Sequence, residues 1–252
     1  MASEFEGPRT AIVTGGARRV GAALARALSE EGWHLLIHCN RSAADAAALA
    51  AELGNARVVQ AELADPDAAA TIIAALDGLP PARVLVNNAS RFAYDRAADF
   101  SVESWNAHLD VNLRAPALLS KAFAARLPEG PGLIVNLLDS KLAAPNPDFF
   151  SYTVSKFGLA GLTELCARAF APQLRVCAIA PAVTLMSGEQ SAENFALVHG
   201  LNALGRGVAV EDIVGALRFI IATPSLTGQT ICLDGGQRFL ALPRDVQFLE
   251  PN

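Results

Sequence analysis

Tyr152 and Lys156 carry the clearest chemical signal in this sequence. Two residues four positions apart share one face of a helix, so both side chains can point into one cleft. A phenol has a reference pKa of about 10, and a nearby ammonium favours the phenolate and brings the group towards useful acid–base range. With two tyrosines and three lysines in 252 residues, chance gives such a pair in roughly 0.02 of chains. The pair predicts a proton donor; the alternative is a buried tyrosine beside a snorkelling lysine.

A glycine-rich segment, TGGARRVG over residues 14–21, could hold the phosphates of a dinucleotide. It directly follows an apolar run, and its glycines let the backbone approach a pyrophosphate while the next helix offers N–H donors. An arginine here would gain charge-assisted hydrogen bonds to phosphate, although it could also be a solvated helix start. The predicted contacts in this segment are Gly15, Arg18, Arg19, Val20 and Gly21.

The segment HCNRS (38–42) predicts which dinucleotide is bound. A site for NAD usually has an acidic residue at the end of this strand, but the segment contains none. Asn40, Arg41 and Ser42 are instead suitable donors for a 2′-phosphate. Hydrogen bonds to charged groups contribute roughly 1.5–3 kcal/mol, so one arginine could favour NADPH by about 10- to 150-fold. NADPH is the predicted cofactor, and His38 is expected only to pack or to cap.

Short apolar runs alternate with alanine-rich helical stretches along the chain. Runs of strand length lie at 10–14, 34–38, 56–60, 83–88, 132–138, 174–181 and 228–236. Helical spacing marks 19–32, 43–53, 103–126 and 151–170. Because continuous Val, Ile and Leu runs indicate strands buried on both faces, we expect one α/β domain, residues 1–252. Its centre should be a doubly wound sheet of seven mostly parallel strands flanked by helices.

Composition narrows the class of protein further. At 52% hydrophobic and 18% charged residues the chain can bury a large core, and its net charge of -5 argues against nucleic acid as the main partner. No apolar run is long enough to cross a bilayer, and the polar start lacks a signal-peptide core. Four scattered cysteines suit a reducing cytoplasm. We expect a small-molecule substrate, no metal, a flexible segment 1–8, and a mobile substrate lid over 183–209.

These segments resemble the short-chain dehydrogenase/reductase family over nearly the whole chain. The matching pieces are TGGARRVG, NNAS (87–90), VN (111–112), YTVSK (152–156) and LDGG (233–236). The resemblance implies a Rossmann-like subunit, usually a homotetramer, with a catalytic tetrad of Asn112, a serine, Tyr152 and Lys156. Tyr152 would donate the proton, Lys156 would hold the nicotinamide ribose, and Asn112 would support a relay water. Further implied cofactor contacts are Glu62, Leu63, Asn87, Asn88, Ala89, Ser90, Lys156 and Pro181.

Asp139 occupies the position of the family's serine, thirteen residues before Tyr152. An ionised carboxylate only accepts hydrogen bonds, and it would repel the negative charge that develops on a carbonyl oxygen. A pterin instead presents N–H donors near its reducible C=N bond. This substitution, together with Arg19 and the Phe92 that follows NNAS, closely resembles pteridine reductases and the related dihydromonapterin reductases. The resemblance implies that a pterin stacks on Phe92 and contacts Arg19, Ser90, Asp139 and Tyr152.

Alternatives remain at several of these positions. Phe92 could be a core aromatic and Asp139 a solvated turn residue. The favoured function is NADPH-dependent reduction of a pterin C=N bond. One alternative is a carbonyl reductase of the 3-oxoacyl-thioester type, in which Ser140 takes the role of the family's catalytic serine. Another is a non-catalytic NADPH sensor. APAVT (180–184) departs from the family pattern, and the tail 238–252 could reach a neighbouring subunit.

Overall fold

The computed structural model describes residues 4–186 and 190–249. Its seven strands are β1 (Thr10–Val13), β2 (His34–Cys39), β3 (Ala56–Gln60), β4 (Ala82–Asn87), β5 (Gly132–Leu137), β6 (Leu174–Pro181) and β7 (Thr230–Leu233). They form one sheet in the order β3-β2-β1-β4-β5-β6-β7. Every neighbouring pair is parallel, which confirms the predicted doubly wound sheet.

Helices cover both faces of this sheet. In the described part of the chain they are α1 (Arg19–Glu30), α2 (Ala43–Leu53), α3 (Ala68–Ala74), α4 (Val102–Leu109), α5 (Ala115–Arg126), α6 (Phe150–Phe170), α7 (Ala192–His199) and α8 (Val210–Ala222). Successive strand residues point to opposite faces. Val13 therefore packs with Leu24 of α1 and Leu217 of α8, whereas Ile12 packs with Phe123 of α5 on the other face.

The helix predicted over 103–126 is interrupted. A π-helical turn at Asp110–Arg114 separates α4 from α5. Such wide turns are rare and are frequent at functional sites. The side chain of Asn112 lies in this turn and forms four hydrogen bonds to neighbouring segments. We attribute the interruption to these contacts, which helical periodicity does not encode.

Glu4 and Phe5 are held in place, which corrects the expectation of a flexible segment 1–8 at these two residues. Phe5 is 3% exposed and packs edge-on against Trp33, with 5.4 Å between ring centroids. Glu4 forms an ion pair with the buried Arg175. Phe5 therefore belongs to the core, whereas residues 6–8 are exposed and residues 1–3 lie outside the described residues.

The segment 183–209, expected to be a lid, contains one helix of its own. α7 begins after Ser191, whose hydroxyl accepts a hydrogen bond from the backbone N–H of Asn194. Residues 187–189 of this segment lie outside the described residues, and its mobility stays a prediction. No helix in the described ranges is long and apolar enough to cross a membrane.

Candidate active site

The segments singled out by the sequence meet at one edge of the sheet, because the carboxyl ends of parallel strands point the same way. β1 leads into the glycine-rich loop, β2 into residues 40–42, β4 into 88–92 and β5 into Asp139. The strand order reverses between β1 and β4. This reversal point is where open α/β sheets form a crevice for ligands.

The glycine-rich loop has backbone conformations that restrict its sequence. Gly15 has a φ of +59°, and a Cβ there would lie 3.0 Å from the Cα of Ala89. At Gly21 a Cβ would lie 2.2 Å from the carbonyl oxygen of Gly15, so only glycine lets α1 pack beneath the loop. Arg19 is not a glycine yet has a φ of +54°. Such strain persists where surrounding contacts hold it, often at functional sites.

Asn88 fastens this loop to β4. Its Nδ2 donates to the carbonyl oxygens of Thr14 at 2.9 Å and Gly15 at 3.2 Å. In return, the Thr14 hydroxyl accepts hydrogen bonds from the backbone N–H groups of Asn88 and Ala89, both at 3.0 Å. The two loops are therefore held at a fixed separation without any ligand contact.

His38 has a larger role than the packing or capping expected of it. Its Nδ1 accepts a hydrogen bond of 3.2 Å from the backbone N–H of Gly15, so its Nε2 carries the proton and donates to the carbonyl oxygen of Ala61 at 3.1 Å. Burial lowers the pKa of His38 and keeps this neutral form. The imidazole thus joins the glycine-rich loop to the segment after β3.

A cleft of about 560 Å³ lies over the glycine-rich loop. It contains every cofactor position predicted from the sequence except Asn87, Lys156 and Pro181. It also contains four residues that were not predicted: His38, Cys39, Arg91 and Val111. The predicted residues in its wall are Gly15, Arg18, Arg19, Val20, Gly21, Asn40, Arg41, Ser42, Glu62, Leu63, Asn88, Ala89 and Ser90. We call this space the dinucleotide cleft.

The polar and charged side chains of the dinucleotide cleft differ in whether they already have a partner within the protein. Arg18 forms an ion pair with Asp45 at 2.5 Å. Asn40 donates to the carboxylate of Glu62. Arg41 is exposed and, among the described residues, forms no ion pair. Its guanidinium is therefore the one at the end of β2 that is free to bind a phosphate.

Tyr152 and Asp139 form the centre of the site. The Tyr152 hydroxyl donates to Oδ2 of Asp139 at 2.7 Å, and Oδ1 of Asp139 accepts from the backbone N–H of Lys141 at 2.8 Å. Lys156 is 2% exposed and donates from Nζ to the carbonyl oxygen of Leu137 at 2.7 Å. Its Nζ lies 5.6 Å from the centre of the Tyr152 ring.

Burial sets the proton affinities of these three groups. Desolvation raises the pKa of Asp139, and desolvation together with the charge of Asp139 raises the pKa of Tyr152 well above its usual value. Desolvation also lowers the pKa of Lys156 to about 8. The expectation that Lys156 brings the Tyr152 pKa down is therefore wrong here, because burial and the neighbouring carboxylate dominate. Tyr152 keeps its proton and presents it to Asp139.

Asn112 connects the loop after β4 to α6, the helix that carries Tyr152 and Lys156. Its Oδ1 accepts from the backbone N–H of Arg91 at 2.7 Å and from the hydroxyl of Ser90 at 3.3 Å, and its Nδ2 donates to the hydroxyl of Ser155 at 2.9 Å. In the described residues these contacts reach neither Tyr152 nor Lys156 directly. Asn112 therefore holds the loop after β4 against α6, and its support of a relay water stays a prediction.

Phe92 stands beside Tyr152 and is 43% exposed. Its ring stacks on Phe149 with 4.2 Å between centroids and meets Tyr152 edge-on at 4.7 Å. The alternative of a core aromatic beneath a loop does not fit this exposure. An accessible flat ring beside the Tyr152 hydroxyl is suited to bind a planar heterocycle.

A second cavity of about 340 Å³ has Tyr152 in its wall and shares Arg19, Val20 and Ser90 with the dinucleotide cleft. All the predicted substrate positions, namely Arg19, Ser90, Phe92, Asp139 and Tyr152, line it, as does Pro181, which was predicted to contact the cofactor. Ser140 and the loop after β6 contribute to the same wall. The wall also contains Gln190, which lies in the segment predicted as a substrate lid, and residues that were not predicted as site residues: Lys141, Gln237, Arg238, Leu242, Asp245, Val246 and Gln247. We call this space the substrate cavity.

Known proteins match this chain over most of its length. A family model described as short chain dehydrogenase matches residues 9–194. The 3-oxoacyl-[acyl-carrier-protein] reductase of a Synechocystis species is 32% identical over 240 residues, which are 90% of this chain and 96% of that protein.

Two crystal structures of FolM alternative dihydrofolate reductase 1 in complex with NADP are also similar. The Brucella canis protein is 37% identical with a TM-score of 0.86, covering 92% of this chain and 95% of that one. The Brucella suis protein is 39% identical with a TM-score of 0.88, covering 91% and 95%. On the family match and these identities, the chain belongs to the short chain dehydrogenase family of oxidoreductases.

Proposed function

We propose that this protein uses NADPH to reduce a C=N bond of a pterin, converting a dihydropterin to a tetrahydropterin. The observation that carries the proposal is the hydrogen bond of 2.7 Å between the Tyr152 hydroxyl and Oδ2 of Asp139 at the wall of the substrate cavity. It puts a carboxylate where a carbonyl reductase needs a hydrogen-bond donor. The similarity to two NADP complexes of FolM alternative dihydrofolate reductase 1 supports the same reading.

The dinucleotide cleft fits NADPH. The N-terminus of α1 and the positive φ of Gly15 offer backbone N–H groups to a pyrophosphate. Arg41 and Ser42 would hold the 2′-phosphate, and Lys156 would hold the nicotinamide ribose. NADPH, when bound, supplies the hydride.

The side chains around Tyr152 then bind the pterin and supply the proton. Phe92 stacks on the pterin ring and keeps it beside Tyr152. Asp139 accepts hydrogen bonds from pterin N–H groups when ionised. Its raised pKa also lets it hold a proton in the buried site. The proton for the ring nitrogen comes from Tyr152, whose hydroxyl retains it until the substrate nitrogen becomes basic.

A substrate comparison tests the assignment. NADPH consumption is followed with dihydrobiopterin, dihydromonapterin, dihydrofolate and a 3-oxoacyl thioester. We expect turnover of at least one pterin. Turnover of the thioester with no pterin reduced would refute the assignment.

The similarity to a 3-oxoacyl reductase favours carbonyl reduction as the second candidate function. Ser140 is buried and lines the substrate cavity, but the Tyr152 hydroxyl donates to Asp139. Asp139→Ser separates the candidates. We expect it to lower pterin turnover by roughly 10²-fold or more, the loss typical of removing one electrostatic group from a reacting centre. Retained or improved thioester reduction in this variant would favour the carbonyl candidate.

We also propose a homotetramer and a cytoplasmic location. Large apolar side chains are exposed on α4, α6 and α8, namely Val102, Phe157, Leu165 and Phe219. Their burial between subunits would stabilise an assembly. The four free thiols suit a reducing compartment. The molar mass in solution checks the first proposal.

A further inference from the structure

The chain after β7 forms one side of the substrate cavity. We call residues 242–248 the C-terminal strap. Leu242, Asp245, Val246 and Gln247 of the strap line the cavity, and Val246 is buried. The carboxylate of Asp245 caps a short 3-10 turn by accepting from the backbone N–H of Gln247 at 3.1 Å. The strap is thus an ordered wall made by the same chain.

Asp148, four residues before Tyr152, anchors the strap. Its buried carboxylate accepts hydrogen bonds from Nε of Arg244 at 2.7 Å and from the backbone N–H of Asp245 at 2.8 Å. The Phe248 ring packs edge-on against Tyr94, with 4.9 Å between centroids, and beside Phe149 at 5.9 Å. The strap is therefore attached to the residues that lead into α6, the helix that carries Tyr152 and Lys156.

Lys141 connects the strap to Asp139. Its Nζ donates to Oδ2 of Asp245 at 3.2 Å and to the carbonyl oxygen of Asp148 at 2.5 Å. The side chains of Lys141 and Asp245 are only 8% and 16% exposed, so solvent screens the pair weakly. At its other end, the backbone N–H of Lys141 donates to Oδ1 of Asp139. One residue thus contacts both the strap and the proposed catalytic carboxylate.

We propose that Asp245 is a positioning residue for the reduction, because through Lys141 it fixes the Asp139 carboxylate against Tyr152. Without Asp245, the buried ammonium of Lys141 loses its only ion-pair partner among the described residues and must seek solvent. The backbone N–H that orients Asp139 then shifts with it. The proposal rests on the proposed roles of Asp139 and Tyr152 but does not depend on which substrate they act on.

Three full-length variants test the proposal. Asp245→Ala removes the charge and the turn cap, Asp245→Asn retains an acceptor for Lys141 and for Gln247, and Asp77→Ala is the matched control. Asp77 also forms an ion pair with an arginine, Arg126, but lines neither cavity. For each protein, kcat and KM are measured, together with the NADPH Kd and hydrogen–deuterium exchange of residues 139–152.

We expect Asp245→Ala to lower kcat by roughly 10- to 100-fold, since small displacements of a catalytic group cost this much. Exchange over 139–152 should become faster, Asp245→Asn should lie between the alanine variant and the parent, and Asp77→Ala should match the parent. The NADPH Kd should stay within about twofold in all variants, because no strap residue lines the dinucleotide cleft.

Unchanged kcat in Asp245→Ala, or unchanged exchange over 139–152, overturns the proposal. A rise in KM alone, with kcat intact, also overturns it, because it would make Asp245 a binding residue only. If the parent protein reduces a ketone but no pterin, the proposed substrate fails, and the kcat comparison proceeds with that ketone. If it reduces neither, the exchange measurement still decides whether Asp245 holds the 139–152 segment.

Discussion

Lys156 is a buried cation whose charge depends on pH close to the neutral range. Burial lowers the pKa of its ammonium to about 8, from the ordinary lysine value of 10.5. Its hydrogen bond to the carbonyl oxygen of Leu137 fixes Nζ beneath the Tyr152 ring. A buried cation is therefore held at the position where the nicotinamide ribose is proposed to bind, and a modest rise in pH removes its charge.

The affinity for NADPH should fall as the pH rises through about 8. Below this pH the ammonium is present and can hold the ribose, and above it the neutral amine cannot do so equally well. We expect the Kd measured by NADPH fluorescence to rise by up to about tenfold for each pH unit above the pKa. Lys156→Met should bind NADPH weakly with little change between pH 7 and 9.5. A flat profile in the parent protein would contradict this role.

At the scale of elements, the glycine-rich loop depends on a histidine from the next strand. The imidazole of His38 forms hydrogen bonds to the backbone of Gly15 and of Ala61, each 23 residues away along the chain. β2 thus positions the loop through a side chain as well as through its backbone. The loop, the end of β2 and the segment after β3 behave as one unit around the proposed phosphates.

His38→Leu should weaken NADPH binding by up to roughly 30-fold, because two hydrogen bonds of about 1 kcal/mol each that position the loop are lost while the volume is nearly kept. Calorimetric titration with NADPH measures the change. His34→Leu is the matched control, since His34 lies in the same strand but at its amino-terminal end, away from the glycine-rich loop. Equal effects from the two substitutions would mean that His38 acts through the stability of β2 alone.

Local spacing made part of this site predictable. The register of Asp139 and Tyr152, the glycine-rich loop, and the donors at 40–42 are short-range patterns. The loop and residues 40–42 line the dinucleotide cleft, and Asp139 and Tyr152 line the substrate cavity. The strap was missed because its anchor joins Arg244 to Asp148 across 96 residues. The interruption at Asn112 was missed for a similar reason, since it depends on contacts to residues 21 and 43 positions away. Periodicity describes one element at a time and carries no record of such pairs.

At the scale of the whole molecule, Phe5 joins the start of the chain to the core beneath β1 and β2. Phe5→Ala should lower the free energy of unfolding by about 3 kcal/mol, as expected for a buried aromatic. Urea denaturation measures this loss. Phe239→Ala should change stability by less than about 0.5 kcal/mol, because that ring is 69% exposed. Similar midpoints for Phe5→Ala and the parent would show that the segment is not part of the cooperative core.

Arg19, Val20 and Ser90 belong to the walls of both the dinucleotide cleft and the substrate cavity. Arg19 also reaches the carbonyl oxygen of Leu185, in the segment after β6, at 3.4 Å. Because the dinucleotide cleft and the substrate cavity share this wall, binding in one affects binding in the other. A ligand that turns the Arg19 guanidinium changes the shape of the neighbouring space. Thermodynamic reciprocity then requires each molecule to alter the other's affinity by the same factor, and a substitution of Arg19 should change that factor equally in both directions.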